Sequence, residues 1–538
     1  MEKRALIAVV LSLLILILYQ AWVSRFYGPP PAPEQEEKTL KEVIPSPPRP
    51  LRKLYKPKAK PVLAGAQGAV KDLRVETDRY IALFTNRGAR LKSLLLKHYR
   101  VSAEEQSAPF EMVPSTPGVP FPLGIQLHDP TPFNDEGLVY NIKDNSLRIT
   151  GDAKGTLTFQ TQTPWGAPLI KKFTFTGSSY VIGLELSVGG ANGSKPPSLL
   201  LSTNGNNNNP TRDAVFEGLL ALVDGKLITE SGKGLAEGKE LSGPIAWAGF
   251  GYTYFLFALL PEDETNQRLT VKQEGPGLLM DLRSQTGPGA AGKTRYNLFI
   301  GPKDLDVLTV LGKGLERSIN FGYFAFVSAP LLHILRFSHR LTASYGIDII
   351  LLTILIKLLL APLTHKSFVS MKQMQKLQPQ MQRIKEKFKD DKERMNKEVM
   401  DLYRRNKVNP LGGCLPMLLQ FPVFIGLYNA LRTPIELRHA PFLWIKDLSR
   451  PDWESLPITL WGWKMGIPVL VLLMGGSMFV QQWMTPSAGD PNQRRMMLMM
   501  PLIFTVMFVN FPSGLTIYWL VNNILTIGQQ YIINRMTR

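Results

Sequence analysis

Three textures of hydrophobic and polar positions follow one another along the chain. The first is an apolar run over residues 5–23, "ALIAVVLSLLILILYQAWV", behind Lys3 and Arg4 and closed by Tyr19, Gln20 and Trp22. A cleaved leader has a shorter apolar stretch and a small-residue cleavage site. The run therefore predicts an uncleaved transmembrane signal anchor over 1–27 with its N-terminus in the cytoplasm. Residues 28–69 then lose all apolar periodicity. "GPPPAPEQEEKT" through "YKPKAKP" is rich in Pro, Lys and Glu, which favours an extended spacer.

The second texture, over 70–312, is alternation. "RVETDRYIALFTNRGARLKSLLLKHY" switches between apolar and polar residues around an Asn-Arg-Gly turn, and "IKKFTFTGSSYVIGLELSVGG" does the same around Gly-Ser-Ser. "NGNNNNPTRD" reads as a loop. A stretch of strands and turns this long predicts a large antiparallel β-sandwich. The preceding helix runs inside to outside, which puts the sandwich beyond the cytoplasmic membrane. The single cysteine, Cys414, rules out an intrachain disulfide and sits in an apolar run.

From 313 onward the period becomes helical. "LERSINFGYFAFVSAPLLHILRFSHRLT" mixes aromatics with Arg317, Arg336 and Arg340, and predicts an interfacial amphipathic helix over 313–342. A helical membrane core follows over 343–535, with apolar spans near 346–365, 411–431, 466–484, 496–511 and 515–533. The last two are joined by "NFPSG", short enough only for a tight hairpin. Between the first two core spans, Met371, Met374, Leu377, Met381, Ile384 and Phe388 recur at intervals of three and four, as do Met395, Val399 and Leu402. With Asp390–Asp391 between them, these stripes predict a helical hairpin over 366–408, kinked or restarted at Pro379.

Charge orients these pieces. The net charge is +19, and residues 366–407 hold 13 Lys/Arg against 6 Asp/Glu. Arg494, Arg495, Arg535 and Arg538 flank later spans. The excess lies beside apolar runs and no nucleic-acid motif accompanies it, so it indicates positive-inside topology: six spans, both termini cytoplasmic, and no direct nucleic-acid readout. Sixteen of the 19 methionines fall after position 370. Methionine is flexible and polarizable, and suits surfaces that accept varied apolar shapes.

One position concentrates the chemistry. Lys357 lies mid-span, nine residues from Asp348 and from Lys366, or roughly 13 Å of helix each way. It shares a helical stripe with Thr353, Ala361 and Thr364, and other spans offer Gln420, Asn429, Gln481, Gln482, Asn522, Asn523, Thr526 and Gln529. Read as spans free of acidic residues, the core gives Lys357 no buried carboxylate. An unpaired ammonium at that depth predicts water around it, hence a hydrated cationic cavity. Such a cavity suits either a small-anion transporter or a receiver of acidic polypeptide segments. The hairpin and the methionines favour the polypeptide. No GxxxxGK[ST] phosphate loop occurs. His98, His128, Asp144 and Glu185 are the candidates for a carbohydrate-active site in the β domain, but no spacing singles them out. No metal or other cofactor is expected.

Three motifs carry a family resemblance: "APLTHKSFVSMKQMQKLQP" (361–379), "NPLGGCLPMLLQFPVFIGLYNAL" (409–431) and "FPSGLTIYWLVNN" (511–523). In order and spacing they closely resemble the YidC/Oxa family of membrane protein insertases, and the large domain after the first span resembles the Gram-negative YidC type. The resemblance spans essentially the whole chain and is weaker in the β domain. It implies a five-helix core with a hydrophilic groove open to cytoplasm and lipid, and a periplasmic galactose-mutarotase-like β-sandwich in the cell inner membrane protein. It implies a non-enzymatic insertase and chaperone for nascent membrane proteins, with the Sec translocon and the ribosome as partners. It places Thr353, Gln420, Tyr518, Trp519 and Asn522 along the groove with Lys357, where relatives commonly carry arginine. Lysine keeps the charge and lacks the planar fork. The tail ends at "NRMTR", so a ribosome contact would rest on the two cytoplasmic loops. Separately, the methionine pattern offers Met371, Met374, Met381 and Met395 as the contacts of the cytoplasmic hairpin.

Overall fold

A computed structural model describes residues 69–104, 106–128, 132–143, 146–189, 196–203, 215–285, 293–406, 408, 415–460, 463–485 and 491–536. The signal anchor, nearly all of the spacer, the "NGNNNNPTRD" loop, Asp144 and Cys414 lie outside these residues.

Alternation folds as sheets. Along Pro168–Thr176, Leu169, Lys171, Phe173 and Phe175 turn inward; along Val181–Val188, Ile182, Leu184 and Leu186 do the same. An eight-stranded antiparallel sheet runs in spatial order Lys226–Glu230, Phe216–Val223, Ile245–Tyr252, Phe255–Pro261, Lys293–Pro302, Val181–Val188, Pro168–Thr176 and Lys154–Gln162. A six-stranded sheet (Lys239–Gly243, Gln267–Glu274, Gly277–Ser284, Ser198–Thr203, Gly124–Leu127, Phe133–Asn134) and a five-stranded one share its core. The five-stranded sheet is centred on Tyr80–Thr85, and its Phe84 ring meets Phe173 at 4.9 Å and Phe175 at 5.8 Å across the layers. One pairing in it, Asp72–Glu76 with Ser146–Arg148, is parallel.

The inward position of Lys171 breaks the apolar pattern, and the fold answers it with a closed polar cluster. Lys171 Nζ lies 2.6 Å from Asp135 Oδ2 and donates to the carbonyls of Gly88 (2.7 Å) and Leu123 (2.8 Å). Asp135 also accepts from Tyr140 Oη at 2.9 Å and from the Ile125 amide at 3.0 Å, with Arg90 at 3.5 Å. Burial pulls the Lys171 ammonium down to about 8 despite the carboxylate beside it.

The helical part begins with α1 (Leu305–Leu311), capped by the Asp304 carboxylate on the amides of Asp306 and Val307. Then come α2 (Ala325–Thr342), α3 (Tyr345–Lys376), α4 (Gln378–Lys387), α5 (Lys392–Arg405), α6 (Leu415–Arg432), α7 (Val469–Met484), α8 (Pro491–Phe508) and α9 (Ser513–Met536). The amphipathic segment expected over 313–342 is helical only from Ala325; before it the chain makes a single 3-10 turn at Leu315–Ser318. Gly322 sits there at φ 67°, where a Cβ would meet Asn429 Nδ2 at 2.6 Å, and Asn429 donates to the Phe321 carbonyl at 3.0 Å.

Helix α3 continues past 365 to Lys376, so Met371 and Met374 belong to the span helix and not to the hairpin. Its 32 residues cover about 48 Å, more than a hydrocarbon core of roughly 30 Å. Among the described residues α3 alone is long and apolar enough to cross a membrane by length and hydropathy; α7 and Met497–Phe508 are shorter apolar helices. The break after α3 comes where expected: Pro379 sits in the first turn of α4, where its missing N–H costs nothing.

The reading of spans without acidic residues needs correction. Asp348 lies in the first turn of α3, fully buried, and accepts from Thr342 Oγ1 at 2.6 Å with His339 Nδ1 at 2.9 Å. The acid is tied to the end of α2, which is why it is tolerated there.

Four residues after α6 join the two cores. Ile435 belongs to the sandwich core and Leu437 to the helical core. Glu436 faces Arg336 at 3.4 Å. Arg438 donates to the Arg100 carbonyl at 2.6 Å and lies 5.5 Å from the Phe255 ring centre.

Candidate functional site

Helix α9 carries its polar residues in two stripes. Tyr518, Asn522, Thr526 and Gln529 recur at intervals of four, four and three; Thr516, Asn523 and Gln530 recur every seven. The first stripe meets α3 and α6. Lys357 Nζ donates to Thr526 Oγ1 at 2.6 Å, and Thr526 passes its own hydroxyl hydrogen to the Asn522 carbonyl at 2.6 Å. Gln529 Nε2 donates to Thr364 Oγ1 at 3.0 Å, and the Gln420 amide donates to Tyr518 Oη. The second stripe meets α7: Asn523 Nδ2 donates to Ser477 Oγ at 2.9 Å and Gln530 Nε2 to Thr485 Oγ1 at 3.0 Å. The last helix is thus a polar spine hydrogen-bonded to three others, in a setting where each unmade bond costs free energy.

Lys357 is half-buried, and no carboxylate pairs with it among the described residues. On the same helix Leu351, Leu355, Leu358 and Leu359 are exposed on the opposite, apolar side. Thr353, one turn away, is buried and its hydroxyl donates to the Ile349 carbonyl at 2.6 Å. Tyr518 and Trp519 part company: Tyr518 is buried against Gln420, while the Trp519 ring packs on Phe424 at 5.1 Å and Phe508 at 5.2 Å. Consecutive helical residues lie about 100° apart, so a neighbouring pair does not share a face.

On the hairpin, Met381 is buried between its helices with Tyr403 Oη 3.2 Å from the sulfur, whereas Met395 is half-buried. Met371 and Met374 are half-buried on the extension of α3. Sequence reasoning missed Ser477 and Thr485. The Gly475-Gly476-Ser477 run was the available signal: a Cβ at Gly475 would meet Thr505 Oγ1 at 2.2 Å, so a small residue there lets α7 and α8 approach closely. Among the described residues, the carbohydrate-site candidates are not brought together. His128 meets Ser198 Oγ at 2.7 Å, Glu185 lies between Lys293 and Arg295, and His98 is exposed at a strand end.

The sequence matches two family models end to end, the YidC periplasmic domain over residues 72–334 and the 60Kd inner membrane protein over 337–538. It is 41% identical to the membrane protein insertase YidC of Pelobacter propionicus, covering 100% of this chain and 99% of that one. It is also 41% identical to that of Geotalea uraniireducens, covering 99% of each. A crystal structure of active YidC insertase with its first transmembrane domain resolved overlaps 86% of this chain and 93% of its own at 20% identity and a TM-score of 0.39. At that score the assignment rests on the sequence matches.

A sheet-rich periplasmic domain continuous with a helical inner-membrane core defines an inner membrane protein of the insertase class. The chain belongs to the YidC family of membrane protein insertases. The relatives give no support to a small-anion transporter.

Proposed function

We propose that the polar face formed by α3, α6 and the first stripe of α9 is the groove through which this insertase moves the polar part of a client, and that it works without enzymatic chemistry. The observation that carries this reading is the Lys357 ammonium, held 2.6 Å from Thr526 on a hydroxyl- and amide-lined face and balanced by no carboxylate among the described residues. A fixed positive charge in surroundings of low dielectric attracts an acidic client segment. Water, hydroxyls and amides along the groove shorten the apolar distance a polar tail must cross. Tyr518, Gln420 and Asn522 supply further hydrogen-bonding groups, Thr353 shapes the wall beside Lys357, and Trp519 presents an aromatic boundary to the client's apolar helix.

A nascent membrane protein is received at the hairpin, where Met371, Met374, Met381 and Met395 offer adaptable apolar contacts. The ribosome engages the basic cytoplasmic loops, and the Sec translocon hands over larger clients. Six spans with both termini cytoplasmic place the sandwich in the periplasm, and α2 lies in the outer interface. The driving force is client hydrophobicity plus, for acidic tails, the membrane potential, about 2.3 kcal/mol per charge per 100 mV.

Reconstitution of the purified full chain with radiolabelled single-span clients tests the groove. Lys357→Arg is expected to retain insertion, and Lys357→Ala to slow clients with acidic tails most. Unchanged rates for every client in Lys357→Ala would remove the basis of the groove reading. Retained insertion after deletion of most of 70–300 would separate it from any enzymatic role of the sandwich.

A further inference from the structure

Helix α2 has three faces. Ser328, Leu331, Leu332 and Leu335 are buried in the helical core. Phe326, Phe337 and Leu341 are exposed on the outside. Ala325, Ala329 and His333, each four residues apart, line a cavity of about 670 Å³ shared with the sandwich. The small alanine side chains leave this space open. Its other apolar walls are Leu220 and Leu227 from two paired strands and Ile319 and Phe321 from the linker. The volume falls within the range of ordinary ligand pockets, roughly 300–1,000 Å³.

Ser318 also lies in its lining, with its hydroxyl sealed beneath the surface and without a hydrogen-bond partner among the described residues. At the rim both signs of charge occur. Glu316 stands with Arg317 and His333, while the Glu217 carboxylate is held by Lys303 at 2.5 Å.

We infer that this cavity is a phospholipid site, taking one acyl chain between α2 and the strand pair Phe216–Glu230 with its head at Glu316, Arg317 and His333. The apolar lining suits hydrocarbon, and the mixed rim suits a zwitterionic head better than a ligand of single sign. The stripe of α2 that lines the cavity adjoins its outward apolar face, so the inference rests on the proposal that α2 lies in the outer interface. A bound chain would wedge the sandwich against the membrane and couple its placement to the lipid. Arg336, hydrogen-bonded to Asp306 of α1, already ties α2 to the end of the sandwich beside this cavity.

The test uses the full chain in phosphatidylethanolamine–phosphatidylglycerol vesicles containing a phosphatidylethanolamine with a photoreactive diazirine in its acyl chain, with crosslinked peptides mapped by mass spectrometry. Labelling is expected on 216–230 as well as on 326–341, and Ala329→Trp, which fills the cavity, is expected to abolish only the former. Ala325→Phe serves if Ala329→Trp fails to fold. Labelling of 326–341 without 216–230 would overturn the site and leave the interfacial helix standing. Labelling of neither would overturn both. Strand labelling that both filling variants leave intact would show another route for the lipid and sink the site.

Discussion

Single residues that break a pattern carry much of this protein's chemistry. Lys171 occupies a core position in a strand, Asp348 a buried position at a helix start, and Lys357 the middle of an apolar helix. The first two are answered by opposite charge or hydrogen bonds close at hand, so they are structural. Removing one partner of a buried pair leaves the other uncompensated. Lys171→Ala is therefore expected to lower stability by about 3–5 kcal/mol, measured by chemical denaturation of the full chain followed through its β-sheet circular dichroism. At the surface of the sandwich, Glu76 is held down to about 2 by hydrogen bonds from Lys97 (2.9 Å) and Arg74 (3.1 Å). A carboxylate with a depressed native pKa stabilises the fold above its ordinary value of 4.5, and that contribution is lost as pH falls toward 2. In Glu76→Gln the decline of thermal stability over that window is expected to be shallower, and less so in high salt, where exposed pairs are screened.

Among elements, the junction of α3 and α4 sets where the span ends and the hairpin begins. Pro379 cannot supply an amide to a helix running through from Lys376, so the chain restarts at Gln378. Pro379→Ala restores that donor and is expected to fuse the two helices. Slower amide exchange over 376–381 would report the fusion; unchanged exchange would mean that the break is set by the packing of Met381 against Tyr403. The hairpin itself was legible from its spacing of three and four. The length of α3 was not, because helix continues through polar as readily as apolar residues once its backbone bonds are satisfied, and hydropathy marks only the lipid-facing part.

For the whole molecule, the alternating and helical textures of the chain correspond to the sheet and helix divisions of the described residues, yet its coherence comes from contacts that no texture reveals. Ile435, Glu436, Leu437 and Arg438 lie between the apolar runs 411–431 and 466–484. In the fold Ile435 and Arg438 turn to the sandwich and Glu436 and Leu437 to the helical core, with Arg438 closing on Arg100 and the Phe255 ring. Proteolysis of the full chain offers a check at this scale. Arg438→Ala is expected to leave each core protected and to expose the segments around Arg100 and Arg438, whereas loss of protection throughout would make the contact essential to folding itself.

By itself the sequence determined the periods, two for the sandwich and 3.6 for the bundle, because burial of apolar side chains on one face is written locally. It also fixed the polar residues available to a groove, and Lys357 among them. Only the tertiary structure decided which of these meet. Thr526 and not an acid receives Lys357, Trp519 turns from Tyr518 into an aromatic cluster, and Ser477 and Thr485 complete the spine. The physical reason is that hydrogen bonds and charge pairs act over about 3 Å, between residues as much as 338 positions apart, and only packing brings such partners within that reach.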